Sequence, residues 1–189
     1  PVEQIVPALT PFLELADDNS FVDRAYWTRL LDGLAERKIR WFTETDVSFA
    51  RDEEMLELAR ESGCAEVLIG LESPVEDGLS NLELKSDWKR KRWPEYREAV
   101  ERIQSHGIRV NGCFVLGLDG HTPAIFDAVR DFALESRLFD VQITIQTPFP
   151  GTPLYRRLEA EGRLLYPGRW ERCTLFDINF QPRGMSVAE

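Results

Sequence analysis

With 189 residues, 43% of them hydrophobic, the chain is long enough for one domain whose core needs no disulfide or structural metal. Its 23 basic and 33 acidic residues leave a formal charge of -10, which excludes a surface dominated by a nucleic-acid footprint. No stretch approaches the roughly 18 consecutive apolar residues of a membrane span, and no charged start leads into an apolar secretion signal, so the expected location is the cytoplasm.

The opening Pro1-Val2-Glu3-Gln4-Ile5 reads as the interior of a longer chain. Ile5, Leu9, Phe12 and Leu13 have helical spacing, broken by Pro7 and Pro11, and the first segment is expected to be an interrupted helix. Asp23 is placed to cap a helix with the apolar stripe Trp27, Leu30, Leu31 and Leu34, and Ile39 to Thr43 then reads as a strand. The unit repeats. Asp52 and Glu53 open a helix carrying Met55, Leu58 and Ala59, Gly63 ends it, and Glu66 to Leu71 is the next strand. After a polar stretch, Pro94 suits a first helical turn; Tyr96, Val100 and Ile103 follow, Gly107 closes the helix, and Ile108 to Leu116 is apolar enough for a buried strand. Thr122-Pro123 opens a helix with Ile125, Phe126, Val129 and Phe132, Phe139 to Ile145 forms a further strand, and the turn Pro150-Gly151-Thr152-Pro153 leads into a short helix ending near Gly162. From Arg163 the pattern fades, and Trp170, Phe176 and Phe180 belong either to a packed extension or to a partly ordered tail.

Strands alternating with helices predict a parallel α/β fold, either an open sheet or a section of a (β/α) barrel. In such folds ligands lie beyond the carboxyl ends of the strands. Those ends are polar here: Asp17-Asp18-Asn19, Glu44-Thr45-Asp46, Glu72-Ser73-Pro74, Gly117-Leu118-Asp119 and Gln146-Thr147-Pro148. Turn and cap preferences account for about half of these positions. Glu44 and Glu72 stand apart, because each follows an apolar strand at a place where no turn specifically requires Glu; carboxylates there suit an amine, ribose hydroxyls or a cation.

Three further features carry simpler readings. Cys64, Cys113 and Cys173 form no local ligand cluster and are expected to be reduced and mostly buried, as small apolar residues. Trp88-Lys89-Arg90-Lys91-Arg92-Trp93 could stack on RNA, but in so acidic a chain a solvated loop anchored by its tryptophans is the better expectation, with no nucleic-acid partner. His106 precedes Gly107 and fits a helix end, whereas His121 follows a strand-end rim and is open to a ligand-facing role.

Trp41-Phe42-Thr43-Glu44-Thr45-Asp46, Val67-Leu68-Ile69-Gly70-Leu71-Glu72-Ser73-Pro74 and Asn111-Gly112-Cys113-Phe114-Val115-Leu116-Gly117, in that order and spacing, resemble consecutive barrel strands of radical S-adenosylmethionine (SAM) proteins. The turn Pro148 to Leu154 resembles the subgroup that carries a cobalamin-binding domain ahead of the radical SAM domain. The resemblance covers most of the chain. It implies an incomplete TIM-like (β/α) barrel with parallel strands, lacking the first strand and the cluster loop, over residues 1–166, with a C-terminal extension over 167–189. It also implies that Asp17, Asp18 and Asn19 end the family's second strand near the methionyl amine of SAM. Glu72 and Ser73 would then meet the ribose or carboxylate, Val115, Leu116 and Gly117 flank adenine, and Gln146 and Thr147 complete the adenine wall or face the substrate; Glu44 joins the same rim. SAM and a 4Fe-4S cluster are the implied cofactors, with cobalamin as a further one. The family's Cys-x-x-x-Cys-x-x-Cys loop, however, does not occur here. This piece alone is therefore expected to be inactive, to need the missing N-terminal part of the same protein, and to self-associate through exposed strand edges. Two other readings stand beside it: a barrel binding magnesium or manganese through Glu44, Asp46, Glu72 and Asp119, and a non-catalytic scaffold.

Overall fold

A computed structural model of the chain describes residues 12–80, 82 and 86–189. Strands β1 (Phe12–Leu15), β2 (Arg40–Thr45), β3 (Cys64–Glu72), β4 (Arg109–Leu116) and β5 (Asp140–Ile145) form one sheet in the order β1-β2-β3-β4-β5. The register pairs β1 with β2 and β2 with β3 in parallel, with an irregularity between Trp41 and Phe42. Helices α1 (Arg24–Ala35), α2 (Glu53–Glu61), α4 (Tyr96–Ser105) and α5 (Ile125–Glu135) lie in the crossovers between successive strands. Helix α3 (Trp88–Arg92) precedes α4, and α6 (Pro153–Ala160) follows β5. A doubly wound sheet would reverse its strand order at a switch point. The unbroken sequential order is that of a barrel wall, which decides between the two α/β architectures left open by the sequence.

Two corrections concern local structure. Phe12–Leu15 is a strand; the proposed first helix otherwise falls on residues 1–11, outside the described residues. The basic run is the short helix α3, not a loop. Three of the other helices begin at a capping side chain: Asp23 accepts from Tyr26 N, Asp52 from Met55 N and Thr152 from Tyr155 N.

The chain divides into two compact units. The first comprises residues up to Leu71 with Pro94–Cys113 and Ala133–Val141. Its core gathers aromatic rings: Phe21 stacks on Phe49 at 4.3 Å and lies 4.8 Å from Trp27, which in turn stands 6.5 Å from Trp41. Trp41 is wholly buried, and its indole N–H donates to Ser62 O at 3.1 Å. Along β2, Trp41, Thr43 and Thr45 are buried while Phe42 and Glu44 are half-exposed. This alternation puts Trp41, Thr43 and Thr45 on a buried face and Arg40, Phe42 and Glu44 on the other.

The second unit comprises Glu72–Trp93, Phe114–Phe132 and Gln142–Glu189. Phe114 of β4 meets Phe132 of α5 edge-on at 5.9 Å, and Leu118, Ile125, Leu158 and Phe180 complete its buried interior. The C-terminal residues pack into this unit: Leu165 N donates to Asn179 O at 3.0 Å and Gln181 N to Arg163 O at 2.8 Å.

Candidate functional site

In the first unit, the loop after β1 is sewn to β2. Ser20 N donates to Glu44 O at 2.9 Å and Thr45 Oγ1 to Ser20 O at 3.2 Å. Thr43 Oγ1 donates to Leu15 O at 2.7 Å, so the 2.6 Å contact between Ser20 and Thr43 is completed by the serine proton. The loop therefore presents Asp17, Asp18 and Asn19 to solvent at the carboxyl end of β1. Asn19 Nδ2 donates to Asp46 Oδ2 at 2.8 Å, and the other Asp46 oxygen caps Ser48 N at 2.7 Å. Glu44 remains half-buried, and none of the ion pairs among the described residues involves it. Its carboxyl is held above the usual carboxylate range, first by burial and then by the charges of Asp18 and Glu14. Asp18 and Glu14 thus act on Glu44, and among the described residues no ion pair offsets them.

In the second unit, Glu72 adopts a left-handed conformation at φ 61°, unusual for a residue with a side chain. It pairs with Lys89 of α3 at 2.5 Å, both side chains about four-fifths buried. Ser73 is buried; its hydroxyl donates to Val75 O at 2.9 Å, accepts from Val75 N at 3.1 Å and lies 3.0 Å from Nε2 of His121. His121 is buried too, with Nδ1 lacking a partner, and burial lowers its pKa to about 4. It is a structural imidazole packed among loops: a Cβ on Gly78 would meet its Nε2 at 2.3 Å, and one on Gly184 its carbonyl at 2.0 Å.

Gly117 needs its φ of 87°, and a Cβ there would meet Phe180 at 3.1 Å, so the C-terminal segment covers this position. Gln146 N donates to Leu116 O at 2.8 Å, while its Oε1 is buried without a partner. Val115, Gln146 and Thr147 help to line a cleft of about 620 Å³ whose walls include Leu118, Phe149 and Leu154, with Arg157 at its edge. Sequence reasoning missed Arg157 and Phe180. The first is one of two neighbouring arginines, Arg156 and Arg157, on a helix capped by Thr152; the second is legible only as an apolar residue of the C-terminal segment.

The metal-barrel reading does not survive. Among the described residues no group of three or more His, Cys, Asp or Glu is arranged to hold a metal ion. Asp119 is held by Arg157 at 2.8 Å and Arg163 at 3.0 Å, Glu72 by Lys89 and Asp46 by Asn19. None of the three cysteines forms a disulfide, and Cys64 is buried while Cys113 and Cys173 are only half-buried, which corrects the expectation that most are buried. Burial pushes the Cys64 thiol well above its ordinary range, so it is no thiolate ligand. The basic run is largely spent on structure: Lys89 holds Glu72, Arg90 holds Glu76 at 3.0 Å, and Trp93 donates to Pro74 O at 2.8 Å. His106 caps α4 as expected, reaching Arg102 O and Glu53, each at 2.9 Å. No helix among the described residues is long and apolar enough to cross a membrane.

Residues 17–133 match the sequence pattern of the Radical SAM superfamily. The chain is 30% identical to bacteriochlorophyllide d C-12(1)-methyltransferase of Chlorobaculum tepidum over 88% of its own length and 35% of that protein's. It is 29% identical to hopanoid C-2 methylase of Rhodopseudomonas palustris over 87% of its length and 33% of that protein's. The chain thus spans about a third of the curated relatives it matches. Among solved structures, the radical SAM methyltransferase TsrM of Kitasatospora setae, with cobalamin and a 4Fe-4S cluster bound, superimposes with a TM-score of 0.65 at 18% identity, covering 88% of this chain and 32% of that one. This likeness supports the incomplete parallel barrel that the strand order shows. A match across most of its strands and the same fold lead to one conclusion: the chain belongs to the radical SAM superfamily.

Proposed function

We propose that this chain forms the SAM- and substrate-facing wall of a larger radical SAM enzyme of the cobalamin-associated subgroup, with methyl transfer to an organic substrate as the class of reaction. The observation that carries the reading is the half-buried Glu44 carboxyl at the end of β2 of a superfamily member, raised by burial and then by Asp18 and Glu14. A half-buried carboxylate raised by burial and then by like charges gains most from an incoming ammonium, and SAM carries one on its methionyl part. Asp17, Asp18, Asn19 and Glu44 would receive that amine. By the family resemblance Glu72 and Ser73 would border the ribose or carboxylate and Val115, Gly117 and Gln146 the adenine; because Lys89 holds Glu72, Ser73 is buried and Phe180 covers Gly117, we assign the contact to Val115 and Gln146, which line the cleft.

The residues present do not fit a 4Fe-4S cluster. Cys64, Cys113 and Cys173 are the only thiols in the sequence, and neither their spacing nor their placement gathers three around one point. The cluster's ligands belong to a part of the parent protein outside this sequence. When loaded, cluster and SAM supply the radical; the residues of this chain bind, orient and exclude water. A cytoplasmic location, no nucleic-acid partner, residues 167–189 as an extension of the barrel, and self-association of the isolated piece through the end strands β1 and β5 belong to the same proposal.

Anaerobic calorimetry of SAM tests it on two samples, this chain and the parent protein reconstituted with iron and sulfide. Tight binding and reductive formation of 5'-deoxyadenosine are expected from the parent alone. Absence of SAM binding and cleavage in the reconstituted parent overturns the proposal.

A further inference from the structure

We infer that the cleft beyond β4 and β5 receives a substrate with an extended apolar body and an anionic group, and that Arg157 engages the anion. The inference rests on reading this unit as a wall of the SAM site and adds the chemistry of the second ligand.

The cleft, at about 620 Å³, has the size of a small-molecule site and opens to solvent between the ends of β4 and β5 and helix α6. Its walls are mostly apolar, and two of them, Phe149 and Leu175, are 40% and 38% exposed. Exposed side chains of this size on a concave surface gain by being covered. Arg157 is the one charged residue that lines the cleft among the described residues, and no carboxylate lines it.

Arg157 shares its carboxylate partner with other arginines. Its Nη1 lies 2.8 Å from Asp119 Oδ2. The other Asp119 oxygen faces Arg163 at 3.0 Å and Arg183 at 3.6 Å. Those two arginines also reach Glu161, at 2.8 and 2.7 Å. Three guanidiniums therefore share two carboxylates, a local positive excess in a chain whose net charge is -10. Arg163 and Arg183, 3.0 and 3.6 Å from Asp119 Oδ1, are the cations left beside Asp119 when Arg157 turns toward a ligand. Arg157 is 39% exposed, and its planar fork suits a carboxylate, sulfonate or phosphate. Val115 and Gln146 lie at the strand end of the cleft, where the proposed adenine wall begins; the apolar remainder, toward α6, is left for the substrate.

The test compares two dyes of one skeleton, 1-anilinonaphthalene-8-sulfonate and its uncharged parent N-phenyl-1-naphthylamine, by equilibrium dialysis against the full-length protein. The sulfonate is expected to bind about tenfold more tightly. Arg157→Gln removes that preference, Arg157→Lys restores part of it, and Phe149→Ala weakens both dyes alike. SAM calorimetry on the same variants separates the two readings. If SAM fails to bind every sample while the dye pattern holds, the cofactor reading falls and the anion-binding cleft stands. Equal affinity for the two dyes, or a preference that survives Arg157→Gln, overturns the inference. Displacement of the sulfonate by 5'-deoxyadenosine overturns it as well and assigns the cleft to the nucleoside.

Discussion

Replacing Glu44 by Gln separates its electrostatic role from its shape. The carboxyl is raised by burial and then by Asp18 and Glu14, so its folded pKa lies above the unfolded one. A carboxyl of that kind contributes stability fully below the ordinary carboxylate range and loses it as pH rises through the raised value. At pH 7 the wild-type chain therefore carries repulsion that Glu44→Gln lacks. The variant is expected to be more stable at pH 7, by less than about 1 kcal/mol because the group is half-exposed, and the gain should vanish near pH 4. SAM binding in the reconstituted parent should move the other way. A charge-assisted hydrogen bond is worth about 1.5–3 kcal/mol; partial exposure argues for the lower end, or roughly a tenfold loss of affinity. Urea unfolding at the two pH values and anaerobic calorimetry at pH 7 read the two effects. A variant less stable at pH 7, with SAM affinity within twofold of wild type, would refute the argument that Glu44 is poised for a cation.

The remaining expectations concern the frame of the site. His121 has a depressed pKa near 4, so its contribution to stability is complete above the ordinary value of 6.5 and is lost as pH falls from 6.5 through 4. Up to roughly 3 kcal/mol of acid sensitivity follows from that shift and should be missing from His121→Gln in a pH series of unfolding curves. Trp41→Phe loses the bond to Ser62 O and leaves a void, and should lower unfolding free energy by about 2–3 kcal/mol; a change below 1 kcal/mol would mean that the core repacks around the smaller ring. Gly117→Ala forces a side chain into the left-handed region against Phe180 and should cost about 1–2 kcal/mol, read as a lower urea midpoint with unchanged slope.

Much of the fold is legible in one dimension because its signals are local. Asp23, Asp52 and Thr152 cap because their oxygens reach the exposed N–H groups of the next turn, and Gly63 and Gly107 end helices at positive φ. The alternation of helix and strand limits the architecture to parallel α/β, and the order of the strand motifs carries the family. Phe12–Leu15 escaped because four residues are too few for their period to be read against neighbouring prolines. The basic run reads as a loop in the sequence because its helix is stabilised from outside its own residues, by Glu72, Glu76 and Pro74.

The strand-end residues show the same division. Their chemical types and their position after strands are properties of the sequence, and they sufficed to single out Glu44 and Glu72. Which carboxylate is free to meet a ligand is a property of its surroundings: Glu72 is taken by Lys89 from 17 residues away and Asp119 by three arginines, whereas Glu44 is left among like charges. His121 was open to a ligand until packing buried it against Ser73. Local propensity determined the elements and their order; ion pairing and burial, which join residues far apart in the chain, decided which polar groups remain available for chemistry.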